Sequence, residues 1–289
     1  PRFYFLDSKS LLALISCSGS ARSSQKFLRL LFDGVSRATI TDSNSICAIH
    51  SIHGETVSLI EHCACEGRAE EWLSRLDELL KDTVKRDIFE AFLSRQKSSS
   101  TVPRGVWILK HMSQAIITSS NVIFSMEVRK CFQQIPDARN KLGTLAETIE
   151  ADTSETILLI RSDLRPSNRV KCADLISLEI YHRDIVHGIL NSNWAPKEKN
   201  ACPFEWEKVL RLRWEKTEAL SDPERKPLLR VGSGIEVNRR YLSQGNISGR
   251  CLDYECQYQY EYTPAGNCLA ITPLTERCCI SILQNCLWL

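Results

Sequence analysis

The feature that most constrains this fold is a long amphipathic segment that runs from Glu70 to Gln96. Apolar side chains recur there at three- and four-residue spacing, while Glu, Lys and Arg fill most of the other positions. A helix with this pattern carries one apolar stripe, and it needs another surface to cover that stripe. The sequence therefore predicts a packed, mainly α-helical body around this helix. The stripe consists of Trp72, Leu76, Leu79, Leu80, Thr83, Val84 and Ile88.

Further helices are predicted on both sides of this segment. Residues 1–36 contain two apolar clusters separated by a Ser- and Gly-rich break from Ser16 to Ser24, which predicts two short helices around a loop. Pro136 and the polar stretch from Asn191 to Pro203 interrupt the later part of the chain, so we expect loops there. The later stretches with helical spacing are 106–132, 138–150, 168–190 and 204–214.

Two other stretches have the character of β-structure. Between Ala38 and Ile60, β-branched residues and short polar breaks predict a small β-hairpin or meander inserted between helices. Residues 219–249 are rich in Gly, Pro, Ser and Arg and predict an extended loop. From Leu252 onward, tyrosines recur at even spacing, as on one face of an extended strand. These tyrosines are Tyr254, Tyr258, Tyr260 and Tyr262.

The charge balance and hydropathy argue against two classes of partner. Lys and Arg total 37 and Asp and Glu total 35, so the formal net charge of +2 indicates no basic surface for nucleic acid or an anionic membrane. The most apolar run, Val106 to Phe124, is interrupted by Lys110, His111 and other polar residues and does not predict a membrane span. Thirteen irregularly spaced cysteines predict mostly free thiols in a reducing compartment.

Motifs for catalysis or metal binding are weak in this sequence. No G-x-x-x-x-G-K-[ST] phosphate loop occurs, and the Gly-Ser-Gly at 232–234 lacks both the Lys-Ser/Thr pair and a preceding strand. His62, Cys63 and Cys65 lie close together, but without a Cys-x-x-Cys partner they favour buried thiols over a metal site. Nucleophilic catalysis by cysteine stays open as an alternative, although no local signature couples a Cys to a His.

Seven stretches occur in an informative order along nearly the whole chain. They are PRFYFLDSKSLLALI; LFDGVSRATI with IHSIHGETVSLI; EEWLSRLDELLKDTV; WILKHMSQAIITSSNVIFSMEVRKCF; DLISLEIYHRDIVHGIL; FEWEKVLRLRWE; and YQYEYTPAGNCLAITPLTERC. Together the first six resemble the linker of dynein heavy chains. The seventh resembles the first segment of that family's first AAA+ module, directly before its Walker A loop.

The resemblance implies a division of the chain into two parts. Residues 1–250 would be the C-terminal part of a dynein linker, and residues 251–289 the N-terminal segment of the first AAA+ module, truncated before the Walker A loop. The expected fold class is mainly α: a helical-bundle linker with a small inserted β-hairpin, followed by the truncated β-containing start of an AAA+ α/β module. We expect the start at Pro1 to be a cut end, and the tail from Tyr254 onward to lack a module to pack against. The expected packing anchors are Trp72, Trp206 and Trp214.

The function implied by the resemblance is mechanical. In dyneins the linker is a helical lever that lies across an AAA+ ring and moves as the ring binds and hydrolyses ATP, which drives the motor toward microtubule minus ends. ATP with Mg²⁺ is the cofactor of the intact motor, but this stretch lacks the phosphate loop, so we expect it neither to hydrolyse ATP alone nor to bind it tightly. The resemblance also gives an adenine-facing role to one segment, for which packing on the AAA+ core is the alternative. That segment is Ile271, Thr272, Pro273, Leu274 and Thr275.

The resemblance also implies partners and a location. The partners would be the rest of the AAA+ ring, dynein intermediate and light chains and, through the intact motor, microtubules; nucleic acid and membrane insertion are not expected. The location would be the cytoplasm and the microtubule cytoskeleton, with the cilium or axoneme as a further option. Two other hypotheses stay open: a stand-alone helical scaffold derived from a dynein linker without motor activity, and an enzyme that uses the cysteines.

Overall fold

The computed structural model consists of α-helices joined to two small sheets. The described residues are 1–16, 20–96, 102–134, 136–192, 194, 202–215, 245–266, 268 and 270–286. The helices are α1 (Ser8–Ser16), α2 (Ala21–Leu31), α3 (Ala69–Gln96), α4 (Arg104–Lys110), α5 (Ser113–Gln133), α6 (Ala138–Ile160), α7 (Pro166–Asn191), α8 (Phe204–Glu207) and α9 (Pro273–Asn285), and a 3-10 turn lies at Phe3–Phe5. The strands are β1 (Val35–Ile40), β2 (Ser45–Ser51), β3 (Thr56–Ala64), β4 (Arg211–Glu215), β5 (Asn246–Cys251) and β6 (Tyr254–Gln257).

Each sheet is a three-stranded antiparallel meander, in the orders β1-β2-β3 and β4-β5-β6. The turns of the first sheet place Asn44 (φ 55°) and Gly54 (φ 82°) in the left-handed region, which Asn and Gly adopt more readily than other residues. The predicted β insertion between helices is therefore confirmed, with a third strand that makes it a meander rather than a hairpin. The mainly α fold is confirmed as well.

The helix predicted at 70–96 is confirmed as α3, and its apolar stripe is the centre of the first core. Trp72 and Val84 are fully enclosed, and α3 packs against β3 and α5. Trp107 of α4 is also buried, and its indole N–H donates to the carbonyl of Ala91 at 3.1 Å. Because each buried side chain of this size stabilises the fold by about 1.5–3 kcal/mol, the stripe accounts for much of the stability of this core.

A second apolar cluster joins α5, α6, α7 and α8. Phe124 and Phe132 of α5 meet the predicted anchor Trp206 edge-on, with ring centroids 5.8 and 6.0 Å apart. The same helix contributes Ile116 and Val122 to the first core. Helix α5 therefore belongs to both cores, and its two halves pack against different partners.

His182 of α7 is enclosed in the second core. Its ring stacks on Phe124 with centroids 3.9 Å apart, and Nε2 lies 3.0 Å from Asn121 Oδ1, to which its N–H donates. Burial lowers the pKa of His182 to about 3, because the charged imidazolium would lose its hydration there. The folded protein therefore keeps this histidine neutral near neutral pH.

The lowered pKa predicts that acidification weakens the fold. Above pH ~6.5 neither state carries the extra proton; below it, only the unfolded chain takes up a proton at His182. The free energy of unfolding should then fall by about 1.4 kcal/mol per pH unit until the folded pKa is reached. In urea unfolding at pH 7.5 and 5.0, we expect His182→Gln to lose less stability than the native chain. The half-exposed His187 on the same helix supplies the control, His187→Gln; equal losses in the two variants would refute the prediction.

Buried charges join α4, α6 and α7. Arg104 is 7% exposed, and its guanidinium lies 3.0 Å from Asp152 and also pairs with the buried carboxylate of Glu179. Arg104 Nε donates to Thr156 Oγ1 at 3.3 Å. Burial lowers the pKa of Arg104 while Asp152 opposes that shift, and an arginine stays charged under these conditions. Two carboxylates thus compensate one buried cation that connects three helices.

The helix predicted at 204–214 is wrong beyond its first turn. Only α8 is helical, and the following residues form strand β4, which pairs with β5. Leu212 and Trp214 share one face of β4, and the half-buried Trp214 stacks on Phe92 with ring centroids 5.8 Å apart. An alternating pattern of apolar and basic residues fits a strand as well as a helix when it is this short, and sheet pairing decides between them here.

The helix predicted at 106–132 is interrupted between α4 and α5. Asp87 of α3 accepts hydrogen bonds from the ring of His111 at 2.7 Å and from the backbone N–H of Met112 at 2.8 Å. The carboxylate therefore replaces a helical carbonyl as the partner of that N–H, and the chain turns between the two helices. Apolar spacing alone does not predict such a break.

Two other predicted boundaries also change. The helix predicted at 138–150 continues to Ile160, while the one predicted at 168–190 matches α7 closely. Of the loop predicted at 219–249, residues 219–244 lie outside the described residues, and residues 246–249 belong to β5. Most of the loop predicted at 191–203 also lies outside them.

The tail, residues 252–266, only partly follows its predicted strand pattern. β6 is a strand, but the chain then leaves the sheet, and Tyr260 adopts a left-handed φ of 57°. Tyr260 and Tyr262 are each 8% exposed and belong to the first core. The expectation that residues from Tyr254 onward lack a module to pack against is therefore wrong, because the helical body itself covers them.

Candidate functional site at the junction of body and tail

Gln114, near the start of α5, fixes the path of the tail. It is buried, and its side-chain amide donates to the hydroxyl of Tyr258 and to the carbonyl of Glu261, both at 2.7 Å. Its carbonyl accepts the backbone N–H of Thr263 at 2.9 Å. One amide side chain thus satisfies polar groups on both sides of a turn in the tail, as a buried backbone segment outside regular structure requires.

Glu55, just before β3, is the second attachment point. Its buried carboxylate accepts the backbone N–H of Ser113 at 2.7 Å and the hydroxyl of Tyr262 at 3.2 Å. Lys171 Nζ lies 3.6 Å from Glu55 and donates to the carbonyl of His111 at 2.6 Å. Burial raises the pKa of Tyr262, so its hydroxyl remains a donor, and burial lowers the pKa of Lys171 against the opposing effect of Glu55.

Asp174 of α7 and Gly34 of β1's entry turn hold the end of the tail. Asp174 accepts the backbone N–H of Gly266 at 2.6 Å, and burial raises the pKa of this carboxyl while that hydrogen bond opposes the shift. Gly34 has a φ of +65°, and a Cβ there would lie 2.2 Å from Pro264 Cγ. The junction is defined as these contacts of Gln114, Glu55, Asp174 and Gly34 with residues 258–266. None of its residues belongs to a motif, so periodicity in the sequence could not reveal it.

A glycine pair tests the close approach of the tail. Gly34→Ala should lose about 1–2 kcal/mol for the left-handed backbone and about 1–3 kcal/mol more for the clash with Pro264. Gly54→Ala has a similar φ of +82° with nothing within 4 Å of its Cβ, so it should lose only the backbone part. Chemical denaturation of both variants measures the difference. Equal destabilisation would contradict packing of Pro264 on Gly34.

The segment predicted to face adenine, residues 271–275, lies at the start of α9. Ile271, Thr272 and Pro273 line a cleft of about 210 Å³ against α7 and α8, whose wall includes Tyr181 and Lys208. Leu274 is 71% exposed, and α9 has no buried residue. The segment therefore presents apolar side chains outward, and its predicted role beside adenine stays a prediction.

Local hydrogen bonds set the conformation of this segment. Thr272 and Thr275 form a capping box in which each side chain accepts a backbone N–H of the other residue. This arrangement begins the helix at Pro273. Glu276 in the first turn pairs with Lys208 of α8 at 3.0 Å, so α9 is connected to the body mainly through charged contacts at its beginning.

The cysteines do not assemble a reactive centre in the part of the chain that the structure describes. The twelve described cysteines are free thiols, and no three His, Cys, Asp or Glu side chains in that part converge on a metal position. Cys63 and Cys65 are fully buried, and the hydrogen bond between them lowers the pKa of Cys63 and raises that of Cys65. Both pack in the first core, where a substrate could not reach them. In the described residues, no helix is long and apolar enough to cross a membrane.

Comparison with known proteins gives one consistent family. Residues 1–91 match the family model described as dynein heavy chain, N-terminal region 2. The chain is 28% identical over 295 residues to dynein axonemal heavy chain 11 of Sus scrofa, covering 99% of this chain. It is 26% identical over 295 residues to the dynein beta chain, flagellar outer arm, of Chlamydomonas reinhardtii, covering 98% of this chain. The chain spans 6% of the length of each of these curated relatives, and similarity to dynein heavy chains extends along nearly all of it.

Proposed function

We propose that this chain is the C-terminal part of the linker of an axonemal dynein heavy chain, followed by the first residues of its first AAA+ module. Three observations support the proposal: the ordered resemblance of seven stretches, the family model over residues 1–91, and relatives named axonemal or flagellar dyneins along 98–99% of the chain. We assign residues 1–250 to the lever and residues 251–289 to the module. Strand β5 runs across this proposed boundary.

The observation that carries a mechanical role is the junction. The tail leads toward the proposed module, yet buried side chains of the lever hold it at Gln114, Glu55 and Asp174. A packed core deforms little under load. Displacement of the module would therefore move the lever instead of being absorbed by a loose connection, and the two conformations of the motor would differ in the contacts of this lever.

The nucleotide role of this chain is limited to one edge of an ATP site. In the intact motor, Ile271, Pro273 and Leu274 would offer an apolar edge to the adenine base, and their exposure fits that role. The sequence has no Walker A loop, so groups that hold the phosphates and Mg²⁺ would come from elsewhere in the motor. The AAA+ ring, intermediate and light chains and microtubules are the proposed partners, and the cilium or axoneme is the proposed location.

The junction can be tested in the intact heavy chain that contains this segment. Gln114→Ala leaves the backbone N–H of Thr263 without its partner, which should weaken the junction by about 1–3 kcal/mol. We expect slower microtubule gliding with unchanged basal ATP hydrolysis, because nucleotide chemistry continues while its coupling to the lever weakens. Gln133→Ala is the matched control, since Gln133 is exposed at the end of the same helix. Normal gliding by the Gln114 variant would refute the coupling role.

Family assignment has a separate test. Sequencing the transcript beyond the codon for Leu289 should reveal a phosphate loop with its Lys-Ser/Thr pair within about twenty codons. A stop codon directly after Leu289 would instead support a stand-alone scaffold and remove the motor function from the proposal. The gliding experiment and the transcript thus examine the coupling and the family independently.

A further inference from the structure

A groove on the body lies where four elements meet, away from the cleft beside residues 271–275. It has a volume of about 380 Å³ and is formed by the turn between β2 and β3, by α3, by the break between α4 and α5, and by the first turn of α7. We call it the basic groove, because basic side chains outnumber acidic ones in its lining. Its charged residues are Arg86, Lys110, Arg165, Lys171, Glu55 and Asp87.

The two carboxylates of the basic groove are already occupied by donors of the protein. Glu55 accepts hydrogen bonds from Ser113 and Tyr262 and lies beside Lys171. Asp87 accepts from the ring of His111 and from the backbone of Met112. Lys110 and Arg165, in contrast, are exposed and form no ion pair within the described residues. The groove therefore has positive charge to spare.

Two buried groups and a helix start add hydrogen-bonding capacity. His111 is 2% exposed, and its Nε2 has no hydrogen-bond partner among the described residues. Lys171 is 5% exposed, and its ammonium has three N–H groups, of which one donates to the carbonyl of His111. Helix α7, 26 residues long, begins at Pro166 with no side-chain cap, so its first turn has free N–H groups and a partial positive charge.

We propose that the basic groove binds a phosphate group, either as inorganic phosphate or as a phosphate monoester. Cations at Lys110 and Arg165 and the first turn of α7 match the oxygens of such a group. Nδ1 of His111 donates to Asp87, so in the neutral ring Nε2 is an acceptor. A phosphate that carries one proton can donate to that atom, whereas sulfate cannot. The site does not depend on the proposed motor function.

Binding would connect elements that are otherwise joined only through the cores. The first turn of α7 and the break between α4 and α5 would share one ligand with the β2–β3 turn. The same elements carry Glu55 and Lys171 of the junction. Phosphate should therefore reduce hydrogen exchange at residues 54–58, 109–112 and 165–168 together, because a ligand that binds only the folded state suppresses their opening.

The test is a titration of the 289-residue chain with inorganic phosphate by calorimetry, at constant ionic strength set with chloride. We expect saturable binding of phosphate and at least tenfold weaker binding of sulfate. Lys110→Ala and Arg165→Ala should each weaken phosphate binding about tenfold, as the loss of one hydrogen bond from a charged donor predicts. Lys141→Ala removes an exposed charge from α6, outside the groove, and should leave affinity unchanged.

Further arms identify the source of the phosphate and protect against misfolded variants. Tighter binding of O-phosphoserine than of inorganic phosphate would identify a phosphorylated side chain as the ligand, and the reverse would identify free phosphate. Thermal unfolding without ligand checks that the two groove variants fold like the Lys141 variant. The proposal is overturned by equal affinities for phosphate and sulfate, by equal losses in all three variants, or by exchange protection outside the three segments only.

Discussion

Arg104→Met should lower the free energy of unfolding by about 3–5 kcal/mol, because it leaves the buried carboxylate of Glu179 without its cation. Asp152 is less affected, since its side chain is more exposed and also lies 3.5 Å from Arg95. Urea unfolding monitored by tryptophan fluorescence and circular dichroism measures the loss. Arg161→Met supplies the control, because Arg161 is an exposed arginine at the end of α6.

A compensating variant separates charge from packing at this site. In Arg104→Met combined with Glu179→Leu, both buried charges are gone, and well-packed apolar replacements of a buried ion pair are often neutral or stabilising. We therefore expect the double variant to recover a large part of the lost stability. If it is as unstable as Arg104→Met alone, the loss comes from packing of the arginine stem, and the buried carboxylate is not its cause.

Glu55→Ala should be the most damaging change at the junction. It leaves Lys171 buried without a carboxylate, and it removes the acceptor of Ser113 and Tyr262. The expected loss is again about 3–5 kcal/mol. Hydrogen exchange should rise at residues 258–266 before the rest of the first core opens, because the tail loses one of its attachment points. The exposed Glu66 provides the control, Glu66→Ala.

The conservative replacement at the same position gives a graded result. Glu55→Gln keeps an oxygen acceptor but removes the charge opposite Lys171, so its loss should fall between those of Glu66→Ala and Glu55→Ala. Equal stability of Glu55→Gln and the native chain would show that the Lys171 pair contributes nothing. Unchanged exchange at residues 258–266 in Glu55→Ala would contradict the attachment of the tail through Tyr262.

Much of the fold follows from periodicity, and the reasons for the failures are local. Helix α3 is predictable because its stripe repeats over many turns, whereas the short stretch around Leu212 and Trp214 fits two periods equally well. The break between α4 and α5 depends on Asp87, which comes from a different helix. A contact between residues far apart in sequence leaves no periodic signal, so the position of that break could not be predicted.

The junction shows why functional residues were harder to predict than the fold. Gln114 reads in the sequence as one of several polar interruptions of an apolar run, and the structure gives it three hydrogen bonds to the tail. Glu55 reads as part of a Gly-Glu turn, and its carboxylate proves to be buried. Partners of a single polar side chain are fixed by tertiary packing, which a pattern of residue types does not encode. The role of residues 271–275 stays a prediction.

Helix α5 contributes its first half to one core and its second half to the other. Such a shared helix acts as a beam clamped at both ends, because neither core can rotate relative to the other without bending it or pulling its side chains out of a packed cluster. We therefore expect the segment to unfold in a single cooperative transition rather than core by core. If it serves as a lever, its flexing during the power stroke must occur outside the span of α5.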